Sequence, residues 1–112
     1  MKRIEAIIRP ELLEEMKNAL RNAKVDGMTI YEVSGCGNQY GWTTKVRGNT
    51  VRLNTLPKVY FMIVVSDQRK DEIIDLIIKT ARTGNVGDGK VFVTDVEDCI
   101  RIRTGEHGEK AL

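Results

Sequence analysis

The chain has 112 residues, of which 41% are hydrophobic and 30% charged, a composition that suits one globular domain with its own core rather than a disordered chain. Eighteen basic against sixteen acidic side chains leave a formal charge of +2, too little to argue for nucleic acid or anionic lipid, so any anion site must be local. The longest apolar runs, such as residues 61–65, are too short to span a bilayer and no basic-then-apolar leader opens the chain, so a cytoplasmic protein is expected.

Along the chain, residues 2–9 alternate around Ile4, Ala6 and Ile8, the mark of a strand, with Ile7 interrupting as if its second face were partly covered. Pro10 suits the first turn of a helix, and Leu13, Met16 and Leu20 recur at three and four, predicting an amphipathic helix over 11–23 that ends at Asp26-Gly27. Thr29, Ile30, Tyr31 and Val33 favour a strand over 28–34. The nearly continuous apolar run at 58–65 predicts a central strand. Residues 67–81 carry Ile73, Leu76, Ile77 and Thr80 on one helical stripe, and 90–95 read as a fourth strand.

This order of two βαβ-like halves predicts a single domain, residues 1–112, with the α+β ferredoxin-like split fold. In that fold an antiparallel sheet carries both helices on one face. Its other face then lies bare, and with two or three apolar side chains expected from each strand, a homo-oligomer follows.

Residues 81–90 read ARTGNVGDGK. Gly84, Gly87 and Gly89 can adopt φ > 0, so successive N–H groups can form a concavity for an anion, closed by the charge of Lys90. If residues 100–104 are extended, Arg101 and Arg103 share one face and Ile100 and Ile102 the other, giving two guanidinium forks suited to polyphosphate. A nucleotide P-loop is not matched: Val91 follows the lysine where Ser or Thr is needed, and the glycine loop leads from helix to strand rather than the reverse.

Residues 35–57 show no sustained period and hold Gly35, Gly37, Gly41 and Gly48. A connection of this length is usually functional. Tyr40 and Trp42 beside Lys45, Arg47 and Arg52 read as a recognition loop. A hairpin extension over 42–55, with Val46, Val51 and Leu53 as strand residues, is the other reading, and the two are compatible. Cys36 and Cys99 lack CxxC spacing and His107 is the one histidine, so neither a metal cluster nor a nucleophile–histidine pair is expected.

The whole chain resembles the PII nitrogen-regulatory signalling proteins. The resemblance is carried by KRIEAII at 2–8, GMT at 27–29, LPKV at 56–59, the ARTG…GDGK loop and IRIRTGE at 100–106. It implies a homotrimer of ferredoxin-like subunits with ATP or ADP in the intersubunit clefts. Residues 37–55 correspond to the family's T-loop, 82–90 to its B-loop and 101–106 to its C-loop. Gly87, Asp88, Gly89 and Lys90, with Arg101, Ile102 and Arg103 of the adjoining subunit, match the phosphate side. Thr29 and Val64 match adenine-side positions. Ile7, Gly35, Cys36, Gly37 and Asn38 complete the nucleotide positions.

The resemblance further implies that Mg-ATP recruits 2-oxoglutarate. Gln39 matches the side chain that ligates Mg²⁺, Lys58 the one that pairs with a 2-oxoglutarate carboxylate, and Gly41 lies with them. Arg47 matches the arginine that family members insert into the mouth of ammonium transporters, which implies a partner reached through the T-loop, an ammonium transporter or a nitrogen-metabolism enzyme, while Tyr40 and Trp42 are atypical of the family and suggest a target surface of the chain's own. The membrane would be met only through a transporter, and nucleic acid is not a partner. The chain departs from the family at Val51, where uridylylated members have tyrosine, and at Asn49, where some relatives have a phosphorylated serine, with Thr50 the neighbouring hydroxyl. Asn38 stands for a frequent arginine and Met62 for a frequent glutamate. An enzyme is not expected, since no general base is evident beyond Asp88, and slow ATP hydrolysis is the one side activity the site suggests. RNA binding is disfavoured because GKVFVTDV at 89–96 lacks the stacking aromatics of an RNP strand.

Overall fold

The structure, a computed structural model, describes residues 1–37, 43–52 and 55–112. Strand β1 spans Lys2–Ile8, helix α1 Leu13–Asn22, β2 Thr29–Gly35, β3 Thr43–Val46, β4 Asn49–Arg52, β5 Leu56–Val65, α2 Lys70–Ala81 and β6 Lys90–Asp95. Four strands form one antiparallel sheet in the order β2-β5-β1-β6, and β3 and β4 form a separate hairpin. This is the ferredoxin-like fold expected from the sequence. Strand β5, the most apolar, is central as expected, paired with β1 on one side and β2 on the other.

Alternation decides which side chains enter the core. Ile4, Ala6 and Ile8 of β1 and Val59, Phe61, Ile63 and Val65 of β5 are buried beneath the helices. They pack with Met16 and Leu20 of α1 and with Ile73, Ile77 and Ala81 of α2. Both helices begin one 3₁₀ turn late. Pro10–Leu12 precedes α1 and Asp67–Arg69 precedes α2, so the helix expected over 11–23 is α-helical only from Leu13.

The stop of α1 also differs from expectation. Gly27 does not take the left-handed conformation; Lys24 does, at φ 63°. Val25 N–H reaches Leu20 O at 2.9 Å and Lys24 N–H reaches Arg21 O at 3.0 Å, the paired bonds of a Schellman cap. Arg69 then donates to the carbonyls of Ala23 and Lys24, tying this cap to the start of α2.

Opposed residues in an antiparallel pair share a face, so the register defines the uncovered side of the sheet. Glu5 lies opposite Met62 and Phe92, and Ile7 opposite Tyr60 and Lys90. This face is less apolar than expected. β1 offers Arg3 and Glu5 beside Ile7, and β6 offers Lys90 and Thr94 beside Phe92. Glu5 accepts from Arg3 at 2.7 Å and from Tyr60, and Tyr60 packs on Tyr31 with ring centroids 5.5 Å apart. The apolar residues of β1 and β5 went mostly under the helices, leaving Tyr31 and Phe92 about half exposed on the open face.

Candidate functional site

At the end of α2 the chain enters the glycine loop, and the three expected positive φ values are present: 90° at Gly84, 105° at Gly87 and 100° at Gly89. Part of the concavity is filled by the loop's own carboxylate. Asp88 accepts the N–H groups of Thr83 and Gly84 at 2.8 and 2.9 Å, the Thr83 hydroxyl, and Arg9 Nε at 3.2 Å. These bonds, that from the Thr83 side chain foremost, hold the Asp88 carboxyl well below the usual carboxylate range. A carboxylate so engaged serves the loop as a hydrogen-bond acceptor and is a weak proton acceptor near neutrality.

Two cations fasten the far side of the loop. Arg9 Nη2 donates to Val86 O at 2.8 Å, and Lys58 Nζ donates to Gly87 O at 2.7 Å. Burial, then the nearby Arg9 charge, lowers the Lys58 pKa from its ordinary value. Arg9 was not singled out from sequence. The available signal was its place just before Pro10, where the backbone stays extended, carrying the outward alternation of Arg3, Glu5 and Ile7 one step further.

Gly89 rests directly on β1: a Cβ there would lie 1.6 Å from Ile7 O. Lys90 opens β6 opposite Ile7. Gly35 ends β2, and a Cβ on it would meet Lys58 Cγ at 3.3 Å. Ile7, Gly35, Lys58, Gly87, Asp88, Gly89 and Lys90 are thus gathered at one end of the sheet, with Cys36 and Gly37 exposed just beyond Gly35. Asn38, Gln39, Tyr40, Gly41 and Trp42 lie outside the described residues, as does Leu53. Arg47 is exposed in the two-residue turn between β3 and β4, with φ 53° at Arg47 and 82° at Gly48. Positive φ at both central positions matches a type I′ hairpin turn.

Thr29 and Val64 are elsewhere. They line a groove of about 550 Å³ with Met28, Met62, Glu109 and Leu112. Thr29 and Lys90 stand on the two edge strands of the sheet, three strand spacings apart and offset by two residues along the strands, roughly 16 Å in all. Val64 pairs with Arg3, four residues along β1 from the Ile7 end, roughly 13 Å.

The Arg101 segment is not the extended ribbon expected. Residues 102–104 form a turn, closed by Gly105 N–H to Arg101 O at 2.7 Å and Arg101 N–H to Glu106 O at 2.9 Å. Ile102 is fully exposed and Arg103 exposed, so the two-face alternation does not hold. Arg101 Nη2 instead donates to Leu112 O at 2.9 Å, which places this guanidinium beside the Thr29–Val64 groove. Asp98 fixes both ends of the loop: it accepts Cys99 N–H at 2.8 Å and Gly108 N–H at 3.2 Å, with His107 Nδ1 at 2.8 Å.

Comparison with known proteins resolves the family. Residues 1–106 match the family model described as "Nitrogen regulatory protein P-II". The chain belongs to the PII family. It is 52% identical over 112 residues to Nitrogen regulatory protein P-II 2 of Methanothermobacter thermautotrophicus, covering all of this chain and 97% of that protein. It is 50% identical to the P-II protein of Nostoc punctiforme and 49% to that of Pasteurella multocida, each over the full length of both. This PII protein therefore has a nitrogen-regulatory signalling role and is a regulator rather than an enzyme. No helix among the described residues is long and apolar enough to cross a membrane.

Proposed function

We propose that this PII protein senses ATP or ADP, and 2-oxoglutarate with Mg-ATP, in clefts between the subunits of a cytoplasmic homotrimer. One observation carries the reading. The residues matched to nucleotide contacts divide within one chain into two groups, Gly87–Lys90 with Ile7 and Gly35 at one end, and Thr29, Val64 and Arg101 at the other. Neither group is a whole site, and a second copy can set the first against the second.

The described residues suit the ligand chemically. Lys90 and the second copy's Arg101 and Arg103 would meet phosphates, and Thr29 and Val64 would wall the base in a groove large enough for a purine. Lys58, partly desolvated beside Arg9, would neutralise a carboxylate of 2-oxoglutarate. Among the described residues no group of three or more His, Cys, Asp or Glu side chains is placed to hold a metal. Mg²⁺ would therefore depend on the ligand phosphates and Gln39. Ligand occupancy would shift the population of T-loop states and so control an ammonium transporter or nitrogen-assimilation enzyme through Arg47, Tyr40 and Trp42, without uridylylation at Val51.

Calorimetric titration of ATP, then of 2-oxoglutarate with and without Mg-ATP, tests this. The expected result is 2-oxoglutarate binding only when Mg-ATP is present. ATP binding without any 2-oxoglutarate response would leave an adenine-nucleotide sensor, and rapid ATP turnover would overturn the regulator reading. Sedimentation of a monomer at low micromolar concentration would overturn the shared cleft.

A further inference from the structure

Arg101 reaches 11 residues along its own chain to donate to the Leu112 main-chain oxygen. Its Nη1 also lies 3.6 Å from Glu106 Oε1. Both terminal nitrogens of the guanidinium are therefore turned toward internal oxygens. Each bidentate edge of a guanidinium includes Nη2 or its neighbour Nη1, so a phosphate gripped in that way draws on nitrogens the chain already uses.

The segment held by this bond has a definite position. Gly108–Ala111 forms a 3₁₀ turn, closed by Leu112 N–H to Glu109 O at 3.2 Å. Glu109, Ala111 and Leu112 line the same groove as Thr29, Met62 and Val64. Beyond Gly108 the segment is held, among the described residues, by this turn and the Arg101 bond, whereas Gly108 itself is held by Cys99 O and Asp98.

We propose that residues 109–112 are a self-latch on the nucleotide groove, held across it by Arg101 and released when Arg101 takes a phosphate. The inference rests on the nucleotide reading above and adds to it a competitor within the chain. The latch couples the two halves of one ligand: phosphate capture at Arg101 frees the wall that narrows the base side. Nucleotide affinity is then set by the ligand's contacts less the cost of opening the latch.

The test uses the 112-residue chain and a chain ending at Gly108, which retains both bonds that hold Gly108. Calorimetric titration with ATP is expected to show binding about three- to tenfold tighter in the shortened chain, the scale of one ordinary solvent-exposed hydrogen bond. Hydrogen exchange on the full chain is expected to show faster exchange over 109–112 on adding ATP. Unchanged or weaker affinity in the shortened chain, with ATP still bound by the full chain, overturns the latch and leaves the nucleotide reading standing. No ATP binding by either chain overturns both. Should the shortened chain fail to fold, exchange on the full chain decides alone, and equal or greater protection of 109–112 with ATP overturns the latch.

Discussion

Gly89 approaches the main-chain carbonyl of Ile7 so closely that a Cβ on it would stand 1.6 Å from the oxygen. Contact with backbone leaves no side chain to swing away, and φ of 100° adds conformational strain for any other residue. Gly89→Ala is expected to destabilise the protein by about 2–4 kcal/mol or to displace the glycine loop from β1. Gly84→Ala, with open space around its Cβ and φ of 90°, is expected to cost only about 1–2 kcal/mol of strain. Urea denaturation of the two variants checks the difference, and equal losses would mean the Ile7 contact is not what demands glycine.

The hub of the same loop is Asp88, and its acid behaviour follows from its bonds. Its pKa is depressed in the folded chain by the Thr83 side chain, the Thr83 and Gly84 N–H groups and Arg9. A depressed carboxyl contributes stability that is present above its unfolded pKa, about 3.9, and lost as pH falls through the lower folded value. Order at Thr83 and Gly84 should accordingly survive well below pH 4, the range in which ordinary carboxylates have already protonated. Asp88→Asn keeps the shape but removes the charge and one acceptor oxygen. It is expected to speed amide exchange at Thr83 and Gly84 at neutral pH and to weaken ATP binding by about tenfold. Unaltered exchange at both amides would refute the hub.

Lys58 gives a second pH signature. Its pKa is lowered by burial first and by Arg9 next, and a carboxylate arriving beside it would raise that value again. Binding of 2-oxoglutarate should then take up protons on the alkaline side of neutrality and weaken as Lys58 loses its charge. Calorimetry at stepped pH values up to the ordinary lysine value of 10.5, in two buffers of different ionisation enthalpy, measures the uptake. Arg9→Ala removes the second cause, so the uptake should shrink while Lys58 stays in place.

Much of this fold was legible because burial enforces period. Strand β6 runs from Lys90 to Asp95 as read from its residues, and β5 pairs on both sides as its apolar run implied. Where no core enforces the pattern, reading failed. Residues 100–104 alternate as well as any strand, yet Ile102 is fully exposed, so nothing selects an extended ribbon over a turn. The loop glycines were legible through their backbone freedom. The partners that hold the loop, Arg9 and the Asp88 carboxylate, depend on residues 79 positions apart and became visible only with the register of β1 and β6.

The Schellman cap at Lys24 offers a prediction about stability alone. A lysine in the left-handed region carries a steric cost that glycine lacks, while the Val25 and Lys24 amide bonds that close the cap are made by the backbone. Lys24→Gly is expected to raise stability by about 0.5–1 kcal/mol, read as a higher urea midpoint with an unchanged slope. Gly27→Ala should be nearly neutral, since that glycine has no positive φ and open space around it. A larger loss at Gly27 than gain at Lys24 would return the helix stop to Gly27.

The hairpin between β3 and β4 separates the shape of the recognition loop from its charge. Arg47 occupies the first central position of a turn whose two central residues both have positive φ, a position that asparagine fills at less strain. Arg47→Asn is thus expected to hold or improve the turn, by about 0.5–1 kcal/mol, while removing the exposed guanidinium. If partner binding depends on that charge, the variant should lose most target affinity, yet bind ATP and 2-oxoglutarate as the parent does. Arg47→Lys restores the charge without the planar fork, and partial recovery would assign the contact to charge rather than to bidentate geometry. Target binding that is equal in Arg47→Asn and the parent, measured by co-sedimentation with the candidate transporter in detergent, would place recognition elsewhere in residues 37–55.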